Sequence, residues 1–254
     1  MIDNKSKYFF DDFTADNYKN ILIKLKDLGF DFKTFCTFDG LINSSKIVIL
    51  RHDVDFSVNR ALRIAKIEHD LNIVSTYFLH LHNDFYNLLQ KSTFDKCIEI
   101  INMNHKIGLH FDSHFYNIDN EKDLELKLSF EKEVLAKIFS KEIEVFSFHN
   151  TNNFTLSCKN ELYSGMINVY STKFFEDFTY CSDTNGYWRF KRLADILLND
   201  KVKLLHLLIH PAWWQDEVMS PCEKVKRCID GRAQYTIKSY IEILSEAGRK
   251  NIDW

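Results

Sequence analysis

The sequence predicts an α/β fold in which helices cover a mostly parallel sheet. Apolar segments of strand length alternate with amphipathic segments of helix length, as is typical of parallel α/β proteins. Ile47–Leu50 is a run of four apolar residues, as expected for a strand buried on both faces. Charged side chains follow directly at residues 51–55, where such a strand would emerge, and the carboxyl ends of parallel strands commonly carry catalytic groups.

Five segments have the sequence signals of helices. Thr14 or Asp16 can cap the first, which ends before Gly29, and Ser92 can cap the third. The Glu121–Phe139 segment is the longest helical pattern, and the last segment predicts one helix or two. Helices are therefore expected at Thr14–Leu28, Val58–Leu71, Ser92–Asn102, Glu121–Phe139 and Glu223–Ala247.

Strands are expected where short apolar, β-branched or aromatic runs lie between these helices. Together with Ile47–Leu50 this gives about seven strands, so closure of the sheet into a barrel is plausible. The further strands are expected at Ile73–Leu79, Ile107–Leu109, Glu144–Phe148, Ile167–Tyr170, Phe178–Cys181 and Leu204–Ile209.

Length and composition favour one globular domain. The 254 residues are 45% hydrophobic and 27% charged, which is ordinary for a globular protein of α/β-barrel size. The 7 glycines and 2 prolines leave few flexible linkers. We expect a single domain with a helical lead-in at 1–45, a barrel core at 46–214 and C-terminal helices at 215–254. The net charge of −3 makes nucleic acid an unlikely partner class.

The chain start and the cysteines bear on location. The first residues are partly acidic and lack the apolar core of a signal peptide, and no segment approaches the roughly 18 apolar residues of a membrane helix. The 6 cysteines are scattered without a Cys-x-x-Cys pair, so we expect reduced thiols. A cytoplasmic protein without membrane insertion is expected.

Asp53 and Asp55 are the first candidates for chemistry. Residues two apart on extended backbone project to the same side, and neighbouring carboxylates repel each other unless a cation or a shared proton holds them. The alternative is a strand cap in which both side chains bond backbone amides.

Histidines stand at the exits of three further predicted strands. His110 and His114 are four residues apart, so their rings share one face if the segment forms a helical turn. Two histidines at this spacing, with a carboxylate elsewhere, commonly build a three-ligand zinc site with an open position. His149 and His210 follow the other two strands. Convergence of these side chains on one barrel end favours a metal site over accidental spacing.

These motifs resemble those of the polysaccharide deacetylase family, the NodB-homology carbohydrate esterases. The similarity is greatest to the branch with an RHDVD first motif and an HPxWW-like last motif, associated with bacterial surface-polysaccharide synthesis. It runs from about Tyr18 to Trp214 and includes the Asp53–Asp55 pair, the segment 110–114, the STYF sequence at 75–78 and the segment 208–211. The resemblance implies an irregular, TIM-barrel-like (β/α)7 barrel, one divalent metal ion and hydrolytic N-deacetylation of a sugar.

The sequence departs from the family pattern at two places. The third motif often contains an Arg-Pro pair, whereas Ser147–Asn150 contains neither residue. An acidic-tryptophan element is matched only loosely, by Ser182-Asp183 and Trp188-Arg189. The resemblance is therefore closer for the metal site than for the substrate-binding half.

The resemblance also assigns roles. It implies that Asp55, His110 and His114 bind the metal, that Asp53 is the base, and that His210 is the acid that protonates the leaving amine. One carboxylate and two neutral imidazoles leave positions open for water and a substrate oxygen. A divalent ion so held, expected to be Zn²⁺, lowers the pKa of water and polarises an acetyl carbonyl.

Other residues are candidates for substrate binding. Arg51 is expected either to lower the pKa of Asp53 or to bond a nearby carbonyl. His149 either orients substrate in place of the missing arginine or makes a structural hydrogen bond. Trp213 and Trp214 can stack on a sugar face, although at least one is expected in the core. Asp183 and Arg189 complete this set.

The remaining histidines and Trp188 have no assigned catalytic role. Trp188 is expected to be packed, and His206 is expected to be a core residue. His80 and His82 are possible pocket residues. The histidines expected to be solvated or capping are His52, His69 and His105.

Three functions remain open. The leading one is a metal-dependent hydrolase that removes an N-acetyl group from a sugar, nucleotide sugar or glycan. The second is a hydrolase of another amide, of formamide or ureide type. The third is a non-catalytic carbohydrate-binding protein, which would not need all five of the residues assigned to metal and proton transfer. The sequence does not determine the sugar, the metal or the oligomeric state.

Overall fold

A computed structural model of the chain describes residues 4–40 and 46–252. Their strands are β1 Phe30–Lys33, β2 Lys46–Val54, β3 Thr76–Leu79, β4 Lys106–Phe111, β5 Val145–Phe148, β6 Leu162–Tyr163, β7 Met166–Asn168, β8 Thr179–Ser182 and β9 Leu204–Ile209. Their α-helices are α1 Asn4–Lys7, α2 Ala15–Asp27, α3 Val58–Asp70, α4 Lys91–Asn102, α5 Glu121–Phe139, α6 Asn153–Ser157, α7 Thr172–Phe175, α8 Leu193–Ile196 and α9 Pro221–Glu246. Short 3₁₀ turns lie at Phe10–Asp12, Thr184–Gly186 and Pro211–Trp213.

Seven parallel strands form the body of one sheet in the order β7-β5-β4-β3-β2-β9-β8. β6 pairs antiparallel with β7, and β1 pairs parallel with β2. The last strand, β9, pairs with β2, so the strands follow a ring. Among the described residues no pairing joins β7 to β8, and the ring is open there. Arg51 of β2 reaches across this ring to the hydroxyl of Tyr170, at 3.1 Å. The predicted irregular (β/α)7 barrel is confirmed, as a half-barrel.

The central strand β2 is buried from Ile47 to Val54. β2 continues beyond the apolar run Ile47–Leu50 and includes three charged or titratable residues, at positions 51–53. The fold tolerates them because each has a buried partner: Arg51 pairs with Asp53, and His52 pairs with Glu68. α3 begins immediately afterwards, where the Ser57 hydroxyl accepts a hydrogen bond from the Arg60 amide.

Most predicted elements are present with small changes in their bounds. α5 and β9 have the predicted bounds, and the C-terminal segment forms the single helix α9. Ser92 lies inside α4, which begins after Gln90. β1 and β6 were not predicted, because β1 is Phe-Asp-Phe-Lys, without an apolar or β-branched run, and β6 has only two residues. The predicted boundary of the lead-in, at residue 45, falls in the segment 41–45, outside the described residues.

The close packing of β3 against β4 depends on Gly108. A Cβ atom there would lie 2.5 Å from the ring of Phe78, so no larger residue fits without displacing that ring. Phe78 in turn lies 5.5 Å below the guanidinium of Arg51. The glycine therefore helps to position the charged groups at the carboxyl end of β2.

A second buried polar group lies between the helices and the sheet, centred on Glu68. Its Oε1 is 2.6 Å from His52 Nε2 and accepts the Tyr18 hydroxyl, while Oε2 accepts the hydroxyls of Ser75 at 2.6 Å and Tyr77 at 2.9 Å. Burial raises the Glu68 pKa, but His52 outweighs burial and the net pKa falls to about 2. His52 and His105 were expected to be solvated or capping residues. Neither is solvated, because both are buried beside Glu68.

No described helix is long and apolar enough to cross a membrane. All six cysteines are free thiols, and three of them are buried.

Candidate metal and catalytic site

The polar residues at the strand exits meet in one cleft. Its volume is about 900 Å³, at the upper end of the usual range for small-molecule sites. β2 contributes Asp53 to its lining and β4 contributes His110. The segments that follow β2, β5 and β9 contribute Asp55, His149 and His210. The convergence expected from the sequence is therefore present at the carboxyl end of the sheet.

Three donor atoms at the centre of the cleft form a nearly equilateral triangle. Asp55 Oδ1 is 3.2 Å from His110 Nε2 and 3.6 Å from His149 Nδ1, and the two imidazole nitrogens are 3.2 Å apart. Ligands held about 2.0–2.1 Å from a tetrahedral zinc ion are separated by roughly 3.3–3.4 Å. Asp55 Oδ1 is also buried and has no hydrogen bond of good geometry among the described residues. One carboxylate and two imidazoles at these separations fit a divalent metal.

Neighbouring groups fix the orientation of the two histidines. His110 Nδ1 is 2.7 Å from the Ser147 hydroxyl, which leaves Nε2 facing Asp55. His149 Nε2 is 2.9 Å from the Asn150 side-chain amide, which leaves Nδ1 facing the same point. Such outer hydrogen bonds normally set the tautomer and ring direction of metal-binding histidines.

The pKa of Asp55 matches the role of a metal ligand. Burial raises the pKa of Asp55, but hydrogen bonds with His110 and His149 outweigh it and hold the pKa well below its usual value. Asp55 is therefore ionised at neutral pH, as a metal ligand must be. Burial alone would lower the pKa of His149, and its interaction with Asp55 raises it.

His114 lies outside the triangle in this structure. The helical turn that would align it with His110 does not form, because His110 belongs to β4 and the following residues make turns. His114 Nε2 instead lies 2.7 Å from the carbonyl oxygen of Asn150, at the wall of the cleft. The third ligand position, which was expected for His114, is occupied by His149.

Arg51 lies beneath the cleft and holds Asp53. Its Nε and one terminal nitrogen donate to the two oxygens of Asp53, at 2.8 and 2.7 Å. Burial raises the Asp53 pKa, and the charge of Arg51 more than reverses that effect, so the net pKa is lowered. Arg51 is fully buried and does not line the cleft. Its expected role in binding substrate is therefore wrong, and of the two alternatives the structure favours control of the Asp53 pKa.

His210 is held by Asp183 from behind. Asp183 Oδ1 is 2.6 Å from His210 Nδ1, and both carboxylate oxygens accept the His210 backbone amide. Burial alone would lower the His210 pKa, but the negative charge of Asp183 raises it to about 9. His210 Nε2 points into the cleft, 3.7 Å from Asp55 Oδ2. Asp183 is fully buried, so the substrate contact expected for it is wrong.

The tryptophans divide between cleft and core. Trp213 lines the cleft and packs edge-on against Phe56. Trp214 is fully buried and donates its indole N–H to Asp183 at 2.8 Å, so it cannot stack on a sugar. Trp188 packs on Trp214, as expected for a packed residue, and Arg189 is exposed at the cleft rim.

Several residues near the site carried no predicted role. The Ser147 hydroxyl bonds His110, and Ser147 lies directly opposite His110 in the neighbouring strand β5. The sequence signal that could have identified it is a polar residue inside an otherwise apolar strand. His80 and His82 also line the cleft. Burial, together with His110 and His149, lowers the His80 pKa to about 3. His206 is buried inside the barrel, as expected of a core histidine.

Comparisons with known proteins give structural matches only. The sequence matches no protein-family model and no curated protein. IcaB from Ammonifex degensii is 15% identical, with a TM-score of 0.41, over 52% of this chain and 65% of IcaB, less than two thirds of its length. Streptococcus pyogenes deacetylase PplD is 17% identical, with a TM-score of 0.44, over 84% and 85% of the two chains. The chitin deacetylase of the fungal pathogen Colletotrichum lindemuthianum is 18% identical, with a TM-score of 0.42, over 79% and 86%. All three matches are distant, and two of the three matched proteins are deacetylases.

Proposed function

We propose that this protein is a metal-dependent hydrolase that removes an N-acetyl group from a sugar. The observation that carries the proposal is the triangle of Asp55, His110 and His149, with Asp53 and His210 beside it. These three residues would hold a zinc ion. Such an ion supplies Lewis-acid polarisation of an acyl oxygen and lowers the pKa of water.

Asp53 is placed to accept a proton. Its Oδ2 lies 3.7 Å from His110 Nε2, at the edge of the triangle, and Arg51 keeps the carboxylate ionised and fixed. A water molecule in the cleft could pass its proton to this carboxylate as it attacks an acyl carbon. The low pKa makes Asp53 a weak base, so proton transfer needs a water molecule that is itself acidified.

His210 is placed to supply a proton. An amide nitrogen leaves poorly as an anion and must be protonated as the C–N bond breaks. His210 Nε2 faces the cleft while Asp183 holds Nδ1, so the ring is fixed and charged when it acts. A proton acceptor, Asp53, and a proton donor, His210, thus both lie next to the triangle, and hydrolysis of an amide requires both.

The cleft wall suits a sugar. Trp213 and Phe56 offer aromatic surface, and Arg189 and Asn150 offer hydrogen-bond donors at the rim. The motif resemblance supports a substrate from bacterial surface-glycan or nucleotide-sugar synthesis. His114, at the same wall, is the alternative third ligand if its side chain moves on metal binding.

Acetate release from N-acetylated sugars by zinc-loaded protein tests this function. Turnover of the sugars, its loss with chelator and its recovery with zinc are expected. Formamides and ureides are the comparison substrates for the second amide-hydrolase function. Turnover of those compounds alone would replace the proposed activity, and binding of sugars without any turnover would favour a carbohydrate-binding protein.

A further inference from the structure

A second cavity lies beside the cleft, between the first turns of α3 and α4 and one face of α9. Its volume is about 300 Å³. Phe56 and Phe85 line both the cavity and the cleft, and their rings pack edge to face at 4.7 Å, so the two spaces meet at this pair. A ligand in the cavity therefore lies next to the proposed active site.

The cavity lining is cationic. No acidic residue lines it within residues 4–40 and 46–252. The basic residues in the lining are Arg60, Lys96, Lys224, Arg227 and Arg232. Such a concentration of one sign of charge in a concave site attracts ligands of the opposite sign.

Three of these cations bond only to neutral protein groups in the described hydrogen bonds. Lys96 donates to the Ser92 carbonyl at 2.7 Å, Arg232 to the Gln90 side chain at 3.3 Å, and Arg227 to the Met219 sulfur at 3.4 Å. Arg60 differs, because Asp216 accepts one of its N–H groups at 3.0 Å. Most of the positive charge in the lining is therefore not neutralised by a protein carboxylate.

Lys224 provides an independent observation. It is only 2% exposed, and its ammonium nitrogen is buried without a hydrogen-bond partner among the described residues. The nitrogen lies 5.0 Å from the centroid of the Phe13 ring, and Asp183 acts on it by charge without a hydrogen bond. Burial lowers the Lys224 pKa to about 8, which leaves the side chain mostly charged at neutral pH. A buried ammonium without a partner is costly unless an anion completes its environment.

The backbone adds to the positive field. α3 has 13 residues and α4 has 12, and both begin at the cavity. The Ser57 hydroxyl already caps α3. In α4 the Gln90 side chain makes no cap and the Thr93 amide donates to the Gln90 carbonyl, so the first-turn amides without a described partner are those of Lys91 and Ser92. Helix N-termini with free N–H groups favour bound phosphate.

We propose that this cavity is an anion site that binds a phosphate or diphosphate group. Because the site adjoins the cleft across Phe56 and Phe85, its natural ligand is the phosphate end of a glycosyl phosphate whose N-acetylated sugar enters the cleft. This assignment of substrate class rests on the proposed deacetylase activity, whereas the anion site itself does not.

Calorimetric titration with inorganic pyrophosphate tests the anion site. Wild-type protein should bind it, and the Arg227→Gln/Arg232→Gln variant should bind at least tenfold more weakly. Lys224→Met should weaken binding in the same way without unfolding the protein, since it removes a buried charge that has no protein partner. Lys238→Gln is the matched control, because Lys238 lies on the same helix, is exposed and pairs with Glu242.

His110→Ala separates the cavity from the cleft. It should leave pyrophosphate affinity unchanged, because His110 lines only the cleft. Loss of binding in His110→Ala, with full binding in the arginine variant, would place the anion at the cleft and overturn the proposal. Equal affinity of the wild type and the arginine variant would overturn it as well.

Deacetylation kinetics test the substrate class. The arginine variant should raise KM for an N-acetylated glycosyl diphosphate about tenfold with little change in kcat, and leave a neutral N-acetylated oligosaccharide unaffected. Equal effects on both compounds would overturn the link to the substrate. If neither compound is deacetylated but pyrophosphate binds as expected, the proposed function fails and the anion site stands.

Discussion

Asp183 and His210 are joined by a 2.6 Å contact between Oδ1 and Nδ1, and Asp183 accepts two further donors, the His210 backbone amide and the Trp214 indole. An asparagine has only one acceptor and would direct an N–H₂ group at a donor. We expect Asp183→Asn to reduce kcat by about two to four orders of magnitude, the usual value of a general acid, with a small change in KM.

The exposed Asp200→Asn variant is the matched control and should behave as wild type. Thermal melting checks that the Asp183 variant still folds under the assay conditions. A fall in stability with kcat retained would make Asp183 a structural residue only.

Metal content distinguishes His149 from His114. His149→Ala should lose most of the bound zinc, because it removes one corner of the donor triangle, and His114→Ala should retain it. Elemental analysis of both purified proteins after dialysis gives the result directly. Zinc loss in His114→Ala alone would restore the ligand set implied by the sequence.

Substitution of the two aspartates of the first motif should cause different defects, in metal binding for Asp55 and in turnover for Asp53. Asp55→Asn weakens metal binding, so added zinc should partly restore activity by mass action. Asp53→Asn should keep its metal and lose turnover by about two to four orders of magnitude, which zinc cannot restore. Metal content and kcat are measured for each variant over a range of zinc concentrations. Equal metal loss in both variants would make Asp53 a ligand and leave the base unassigned.

Stability should respond in opposite directions at two buried glutamates. The Glu68 pKa, lowered to about 2, means that its ionised form stabilises the fold above its usual pKa and that this stability is lost as pH falls toward 2. Burial raises the Glu131 pKa to about 7, so its contribution is present at low pH and is lost as pH rises through 7. Each of these two pKa changes corresponds to on the order of 3 kcal/mol.

Urea unfolding at pH 5 and pH 8 checks both glutamates. Glu68→Gln should lower the free energy of unfolding at both values, because His52 loses its charged partner. Glu131→Gln should be near neutral at pH 5 and stabilising at pH 8, where it removes the cost of a buried carboxylate with one unbonded oxygen. Destabilisation by Glu131→Gln at pH 8 would contradict the raised Glu131 pKa, and an unchanged free energy of unfolding in Glu68→Gln would contradict the lowered Glu68 pKa.

The sequence by itself determined the order of the longer helices and of the seven parallel strands, and most of the residues at the strand exits. The bounds of α5 and β9 were predicted to the residue. The reason is that α5 has the apolar periodicity of a helix and β9 has the continuous apolar run of a buried strand. Asp55, His110 and His210 were identified because parallel strands bring their carboxyl ends to one edge. That consequence of topology does not depend on side-chain detail.

Only the tertiary structure decided which side chains meet beyond the strand ends. Sequence spacing predicts a shared face only within a regular element, and the segment from His110 to His114 changes from strand to turn, so the spacing did not place His114. His149 reaches the triangle from another strand, and Arg51 and Asp183 act from beneath the cleft. Their roles depend on distances between elements far apart in the chain, which are set by how the sheet curls and not by any local pattern.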